Sequence, residues 1–332
     1  MRNYWYPIAY SGEVAERPVP FTLLDEPKVL FRDDRGQVGC LIDRCPHRST
    51  PLSLGRVVQG RLECPNHGWR YRADGGCTKI PSQSPEKAIP KSAAAQSFPT
   101  REHLGIVWVW PGDGFASAES AEAGDLFQIP EFGTPEWTYV QSSFDLNIEH
   151  ELLIESFLDP THLPFVHDGR LGGSRDEAAP VALELLPYSR GIRGNFTSST
   201  SAGESKPFQL LTFEPPCHVR LEVEIRPGWR AFSVISCVPT RASKMRALVR
   251  NFRNFMLNEG SQDWAMLRQV QEAFAQDLAI IQGQRARLGP DGSPWQGCAV
   301  ATDGLALQYR NWLTKSLAHP NERIAMTRAA EA

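Results

Sequence analysis

Through the first 110 residues the apolar positions fall in short runs, each stopped by a turn signal. Val29-Leu30-Phe31, then Asp33-Asp34-Arg35-Gly36, then Val38-Gly39-Cys40-Leu41-Ile42 reads as strand, turn, strand. Arg61-Leu62-Glu63 and Leu104 to Trp110 are further β-prone runs, with a turn at Asp74-Gly75-Gly76. No stretch before residue 110 repeats with a helical period, so this part is expected to be all-β. Residues 112–125 are small and polar and read as a linker. Past it the pattern changes. Val181–Leu186, Phe208–Phe213, Val219–Ile225 and Ala231–Val238 predict strands, with Ala247–Met256 as another candidate. Val219–Ile225 alternates cleanly, so one of its faces is expected to be wet.

Helical spacing appears in three places. Leu146 to Phe157 carries Leu152, Leu153 and Phe157 with charged residues between. The strongest helix is 261–288, with Ser261 as N-cap and Asp263 in the first turn. Its apolar stripe is Trp264, Leu267, Val270, Phe274, Leu278 and Ile281. A last helix covers Leu305–Leu317, where Trp312 and Leu317 are expected to pack. The chain therefore reads as α+β, with an all-β domain over 1–111, a linker over 112–125 and a second domain over 126–332.

Composition narrows the class. A chain of 332 residues suits about two domains. A net charge of −3 offers no field for nucleic acid or anionic lipid. The longest apolar run, Leu104 to Trp110, is far too short to span a bilayer. The N-terminal residues have no apolar core or cleavage site of a secretory signal. Seven cysteines, an odd count, argue against a full disulfide framework. Cys40, Cys77, Cys217, Cys237 and Cys298 read as buried small apolar side chains. A reducing cytoplasm fits this usage.

The chemistry concentrates in Cys45-Pro46-His47-Arg48 and Cys64-Pro65-Asn66-His67-Gly68-Trp69. Each short loop mixes one Cys with one His, and a sixteen-residue insert separates His47 from Cys64. A zinc finger usually pairs Cys with Cys and His with His, so structural zinc is the weaker reading. One iron held by two Cys and the other by two His is the Rieske form of a [2Fe–2S] centre.

A second constellation is Asp159-Pro160-Thr161-His162-Leu163-Pro164-Phe165-Val166-His167. On a regular helix His162 and His167 would stand roughly 140° apart. Pro160 and Pro164 break the helix, so both rings can still aim at one point. Two His and one carboxylate make the facial triad of non-haem Fe(II). The plainer alternative has Asp159 capping a short helix that begins at Pro160. Asp277 lies three residues after Phe274 and four before Ile281, beside the apolar stripe, whereas Glu272 falls on the solvent side. A carboxylate against a core is costly unless paired or metal-bound. A half-exposed place at the stripe's edge is the alternative.

Both motifs, in this order, resemble those of the Rieske non-haem iron oxygenases. Cys45-Pro46-His47-Arg48 … Cys64-Pro65-x-His67-Gly68-Trp69 is similar to the family's cluster motif, with Asn66 where an aromatic residue is usual. Glu155 to His167 is similar to the family's iron segment, with Ser156 where Asn is frequent. The resemblance implies a [2Fe–2S] cluster on Cys45, His47, Cys64 and His67. It implies mononuclear Fe(II) on His162, His167 and Asp277, whose segment Phe274 to Ile281 resembles the family's third-ligand helix. Asp159 would be a bridging carboxylate, bonded to an iron-ligand His and to a Rieske His of a neighbouring subunit. The implied second domain is a helix-grip fold, an antiparallel sheet around a long helix. Asp168 to Pro180, with Gly169, Gly172, Gly173 and charged residues, reads as a loop that could gate the cavity.

The resemblance also implies an oxygenase component that uses O₂ and electrons from a flavin- or ferredoxin-type reductase. The expected reaction is mono-oxygenation, hydroxylation or oxidative demethylation, of a bulky, largely apolar aromatic, macrocyclic or alkaloid-like molecule. cis-Dihydroxylation of an arene is the alternative within the family. A Rieske electron-transfer protein is the alternative of another class, but it needs only the first third of the chain. The expected assembly is a homotrimer, without nucleic acid or membrane insertion.

Overall fold

The structure is a computed structural model that describes residues 1–112, 125–171, 173–199, 205–288 and 297–319. Most of the expected linker lies outside the described residues. The chain forms two compact units, Met1–Gln128 with Val238–Ala242, and Ile129–Cys237 with Ser243–Ala332. No helix among the described residues is long and apolar enough to cross a membrane.

Among the described residues the first unit has three small antiparallel sheets. One runs Val19–Leu23, Glu26–Arg32, Val38–Ile42 and Ser97–Phe98. Its middle strands bury residues on both faces: Val29, Leu30, Phe31, Cys40 and Leu41 are all buried. A second sheet runs Arg56–Val58, Arg61–Glu63, Arg70–Tyr71 and Cys77–Lys79. The third joins Tyr6–Tyr10, Ile106–Val109 and Thr100–His103. The expected run from Leu104 begins two residues later, because Leu104 and Gly105 form a turn with φ of 55° and 66°. Val29, Phe31, Leu41, Leu52, Leu62 and Tyr71 share one core with Cys45 and Cys64. Burying one such Leu or Phe contributes about 1.5–3 kcal/mol. The two Cys/His loops are thus anchored by their cysteines in the packed interior.

Among the described residues the second unit has one seven-stranded sheet. Its strands are β1 (Thr138–Leu146), β2 (Val181–Leu186), β3 (Ile192–Ser199), β4 (Ser205–Glu214), β5 (His218–Arg226), β6 (Trp229–Arg241) and β7 (Lys244–Arg253). They lie in the order β1-β7-β6-β5-β4-β3-β2. Pairing is antiparallel from β2 through β6 and between β1 and β7. The helices are α1 (His150–Phe157), α2 (Leu163–Val166), α3 (Gly260–Arg285) and α4 (Gly304–Ala318). Phe144 of β1 stacks on Phe274 of α3 at 4.6 Å, which seats the long helix against the sheet. The fold is α+β, as the sequence predicts.

Several local expectations are corrected. Leu146 ends β1, and the first helix starts only at His150. The N-cap of α3 is Glu259 without a side-chain bond, so Ser261 lies inside the helix. Arg253, 1% exposed, does the anchoring instead. It donates to the carbonyls of Phe255 at 3.1 Å and Met256 at 3.0 Å and pairs with Asp263 at 2.6 Å. Trp264, expected in the stripe, is 76% exposed. The inward face of α3 instead runs through Gln262, Ala265, Met266, Gln269, Val270 and Ala273, because it faces a cavity and not a solid core. Trp312 packs on Phe213 at 5.2 Å, whereas Leu317 is exposed. Cys40, Cys217 and Cys237 are buried, but Cys77 is half-buried and Cys298 exposed.

Candidate metal centres and substrate cavity

The two Cys/His loops of the first unit share one backbone plan. Cys45 N–H donates to Thr50 O at 2.8 Å, and Ser49 N–H returns to Cys45 O at 2.9 Å. Cys64 N–H donates to Trp69 O at 2.8 Å, and Gly68 N–H returns to Cys64 O at 3.0 Å. The fifth residue of each loop must turn left-handed, with φ of 55° at Ser49 and 68° at Gly68. Asn66 Nδ2 donates to Thr50 Oγ1 at 3.2 Å and ties the loops together. The departure from an aromatic residue at 66 thus has a local use.

This plan sorts the four side chains by depth. Cys45 and Cys64 are each 2% exposed. His47 and His67 sit at the surface with ring centroids 4.6 Å apart. Trp69 stacks on His47 at 4.7 Å and covers one face of that ring. Tyr71 hydroxyl meets Cys45 Sγ at 3.2 Å. Burial pushes the Cys64 thiol up, while backbone N–H groups of Asn66 and His67 aimed at its sulfur act the other way. Two sulfurs inside and two imidazoles outside fit a Rieske [2Fe–2S] cluster.

In the second unit His162 and His167 flank α2, a four-residue helix with Pro164 in its first turn. Asp277 projects from α3 and is 4% exposed. Its Oδ1 lies 3.5 Å from His162 Nε2 and 3.2 Å from His167 Nε2. Neither approach has hydrogen-bond alignment, so this buried Oδ1 has no hydrogen-bond partner among the described residues. Three donor atoms within 4.8 Å converge on one point instead of pairing. A cation at that point satisfies all three, and the 2-His-1-carboxylate set suits Fe(II).

The outer ring nitrogens are fixed as well. His167 Nδ1 donates to Gln276 Oε1 at 2.9 Å. His162 Nδ1 donates to the main-chain carbonyl of Asp159 at 2.5 Å. The Asp159 carboxylate is engaged elsewhere, accepting from Thr161 N at 2.8 Å and Thr161 Oγ1 at 2.5 Å. Asp159 thus caps the short turn Pro160–His162, and its carbonyl, not its carboxylate, holds the His162 ring. Burial drives the Asp277 carboxyl up, yet the two imidazoles outweigh it and hold it below the ordinary range. Burial pushes His167 down, yet Asp277 and Gln276 outweigh that and the net direction is up. The field that favours a proton between these groups also favours a metal ion.

The triad opens on a cavity of about 780 Å³ between α3 and the sheet. That is within the usual range for a small-molecule site. The sheet wall is the odd-numbered row of β5, with Leu221, Val223 and Ile225, continued by β6 and β7. This row is the face expected to be dry, yet Val223 is 37% and Ile225 58% exposed, because they border the opening. Arg170, Leu171 and Gly173 of the expected gating loop also line it, and Arg170 pairs with Glu272 on α3.

Sequence reasoning missed Tyr71, Gln276 and the carbonyl of Asp159. Tyr71 and Gln276 stand next to recognised motifs but carry no pattern of their own.

Comparisons with known proteins agree with this layout. Residues 4–99 match the family model of the Rieske [2Fe-2S] domain, and residues 146–319 that of the vanillate O-demethylase oxygenase C-terminal domain. The chain is 31% identical to chlorophyllide a oxygenase of Chlamydomonas reinhardtii over 100% of its own length and 50% of that protein's. It therefore spans about half the length of that relative. It is 27% identical to the vanillate O-demethylase oxygenase subunit of Pseudomonas sp. (strain HR199 / DSM 7063), with 86% of each covered. The solved structure of dicamba monooxygenase bound to dicamba superposes with a TM-score of 0.83 at 23% identity, over 97% of this chain and 99% of that one. That likeness speaks for the fold.

Proposed function

The chain belongs to the Rieske non-haem iron oxygenases, and we propose that it is an oxygenase component that mono-oxygenates a bulky, largely apolar small molecule by hydroxylation or oxidative demethylation. The observation that carries this reading is the convergence of His162, His167 and Asp277 on the edge of a largely apolar cavity of about 780 Å³. In this reading Cys45, His47, Cys64 and His67 hold the cluster, and His162, His167 and Asp277 hold the iron. When bound, the cluster supplies electrons singly and the iron supplies O₂ activation.

The chain's own residues do the rest. Gln276 and the Asp159 carbonyl keep both Nε2 atoms unprotonated toward the metal. The apolar row of β5 and the opposite face of α3 take the substrate out of water beside the triad. A separate flavin- or ferredoxin-type reductase supplies electrons, in the cytoplasm. The working unit is a homotrimer in which Asp159 meets a Rieske His of a neighbouring subunit. Asp159 Oδ1 is occupied by Thr161, so Oδ2 is the atom for that contact.

The test is iron content with turnover. The oxygenase reading expects three irons per chain, two of them in the cluster, and oxygenated product from a screen with reductase and O₂. Asp277→Ala is expected to lose one iron and all product while keeping the Rieske absorbance. A chain holding only the two cluster irons, with the second-unit triad unable to take a third, would sink this reading.

A further inference from the structure

The cavity wall formed by the sheet is mostly apolar, although Gln209 of β4, Glu224 of β5 and Arg253 of β7 also line it. Leu221 and Val223 of β5, Ala231 and Ile235 of β6 and Val249 of β7 present hydrocarbon. Ser233 of β6 and Asn251 of β7 interrupt that surface. Ser233 Oγ donates to Asn251 Oδ1 at 2.5 Å, which fixes the amide and leaves Nδ2 as its other end. Asn251 is 5% exposed, and its Nδ2 has no hydrogen-bond partner among the described residues. A buried amide donor without a partner is rare, because its desolvation goes uncompensated.

We propose that Asn251 Nδ2, oriented by Ser233, is a polar anchor of the cavity and binds a neutral carbonyl oxygen on an otherwise apolar substrate. The proposal rests on reading the cavity as the oxygenase's substrate site. A neutral oxygen fits better than a carboxylate because the nearby cations are committed. Arg253 serves the carbonyls of Phe255, Met256 and Glu259 and pairs with Asp263, and Arg170 pairs with Glu272. An acceptor pinned on β7, across the cavity from α3, sets which carbon of the substrate faces His162, His167 and Asp277. Asn251 is thereby a specificity-determining residue for the reaction. A substrate lacking the oxygen leaves the amide unpaired, and this is how a polar site rejects an apolar analogue.

The test uses the holoenzyme without O₂ and two flat probes, 9-fluorenone and fluorene, which differ by one carbonyl. Wild type is expected to bind the ketone about tenfold more tightly than the hydrocarbon. The infrared C=O stretch of bound fluorenone is expected at lower wavenumber than in Asn251→Val. That variant, β-branched and suited to a strand, is expected to lose the preference and keep fluorene affinity within about twofold. Asn251→Thr retains a donor and is expected to keep part of the preference. Cluster absorbance and iron content report whether both variants fold. Equal affinity in wild type, a preference that survives in Asn251→Val, or failure of wild type to bind fluorenone each overturns the anchor. Binding is read without turnover, so the two readings fail separately. Selective binding without oxygenation removes the oxygenase, and oxygenation without ketone preference removes the anchor.

Discussion

His167 Nδ1 donates to Gln276 Oε1 across 2.9 Å, and that contact turns Nε2 toward Asp277 at 3.2 Å. Gln276 is thus a positioning residue that touches neither the metal point nor the cavity. Partners of this kind fix the tautomer, and losing one typically lowers metal affinity about 10–100-fold. Gln276→Leu is expected to weaken iron binding at the triad by that amount in chelator competition, with the Rieske absorbance unchanged. Gln276→Glu keeps an acceptor and should bind iron nearly as wild type does. Equal iron affinity in Gln276→Leu and wild type would show the contact to be incidental.

Tyr71 and Cys45 make a second pair with a measurable consequence. With the thiolate bound to iron, the hydroxyl 3.2 Å away is the donor. A donor to cluster sulfur stabilises the more negative, reduced state and raises the potential. Tyr71→Phe is expected to lower the midpoint potential by on the order of 50 mV, about one hydrogen bond's worth for a one-electron couple. Redox titration monitored by visible absorbance measures it. An unchanged potential would remove Tyr71 from the tuning shell.

His218 predicts an acid weakness in the second unit. It is 1% exposed, bonds Ser236 Oγ at 2.9 Å through Nδ1, and burial pushes it down to about 3 from 6.5. Below pH 6.5 the unfolded chain binds a proton at this residue that the folded chain refuses. Stability from this group is therefore full above that pH and is lost as pH falls toward 3. The slope reaches at most about 1.4 kcal/mol per pH unit. Between pH 7.5 and 5.5, His218→Gln is expected to lose about 1.4 kcal/mol less than wild type, read from urea midpoints. Parallel losses in the two proteins would count against a neutral buried His218.

Much of the candidate site was legible because the proposed ligands are local in sequence. Cys45 with His47, Cys64 with His67, and His162 with His167 each fit in one loop, so short patterns carry them. Asp277 lies 110 residues beyond His167, yet its place beside Phe274 and Ile281 marked it. Trp264 was misplaced for a physical reason. Apolar weight points to a packed stripe, but a cavity wall is built from Gln262, Ala265 and Gln269 as readily as from Leu. β1 and β3 were hidden by polarity. β3 reads Ile-Arg-Gly-Asn-Phe-Thr-Ser-Ser, and its Gly194 makes room for Leu183 and Leu305, whose methyls would lie 2.7 Å and 3.2 Å from a Cβ there. The Asp159 carbonyl could not be read at all, since every residue has one.

Asp159 carries the last prediction. The resemblance assigned its carboxylate to the His162 ring, but the main-chain carbonyl holds that ring at 2.5 Å. Its Oδ1 instead accepts from Thr161 N and Oγ1. Asparagine has the same shape, keeps a capping oxygen and leaves the carbonyl in place. Asp159→Asn is therefore expected to retain both metals and the fold. What it removes is the negative charge that our proposal sets against a Rieske His of the neighbouring subunit. A charge-assisted contact is roughly twice as strong as a neutral one, so electron passage between subunits should suffer most. Rapid mixing of the reduced protein with O₂ and substrate is expected to show cluster oxidation slowed at least about tenfold, the rate equivalent of ~1.4 kcal/mol. Asp159→Ala removes the cap as well and should also cost about 1 kcal/mol of stability, which separates the two roles. A wild-type transfer rate in Asp159→Asn, or a monomer with full activity at assay concentration, would end the cross-subunit route.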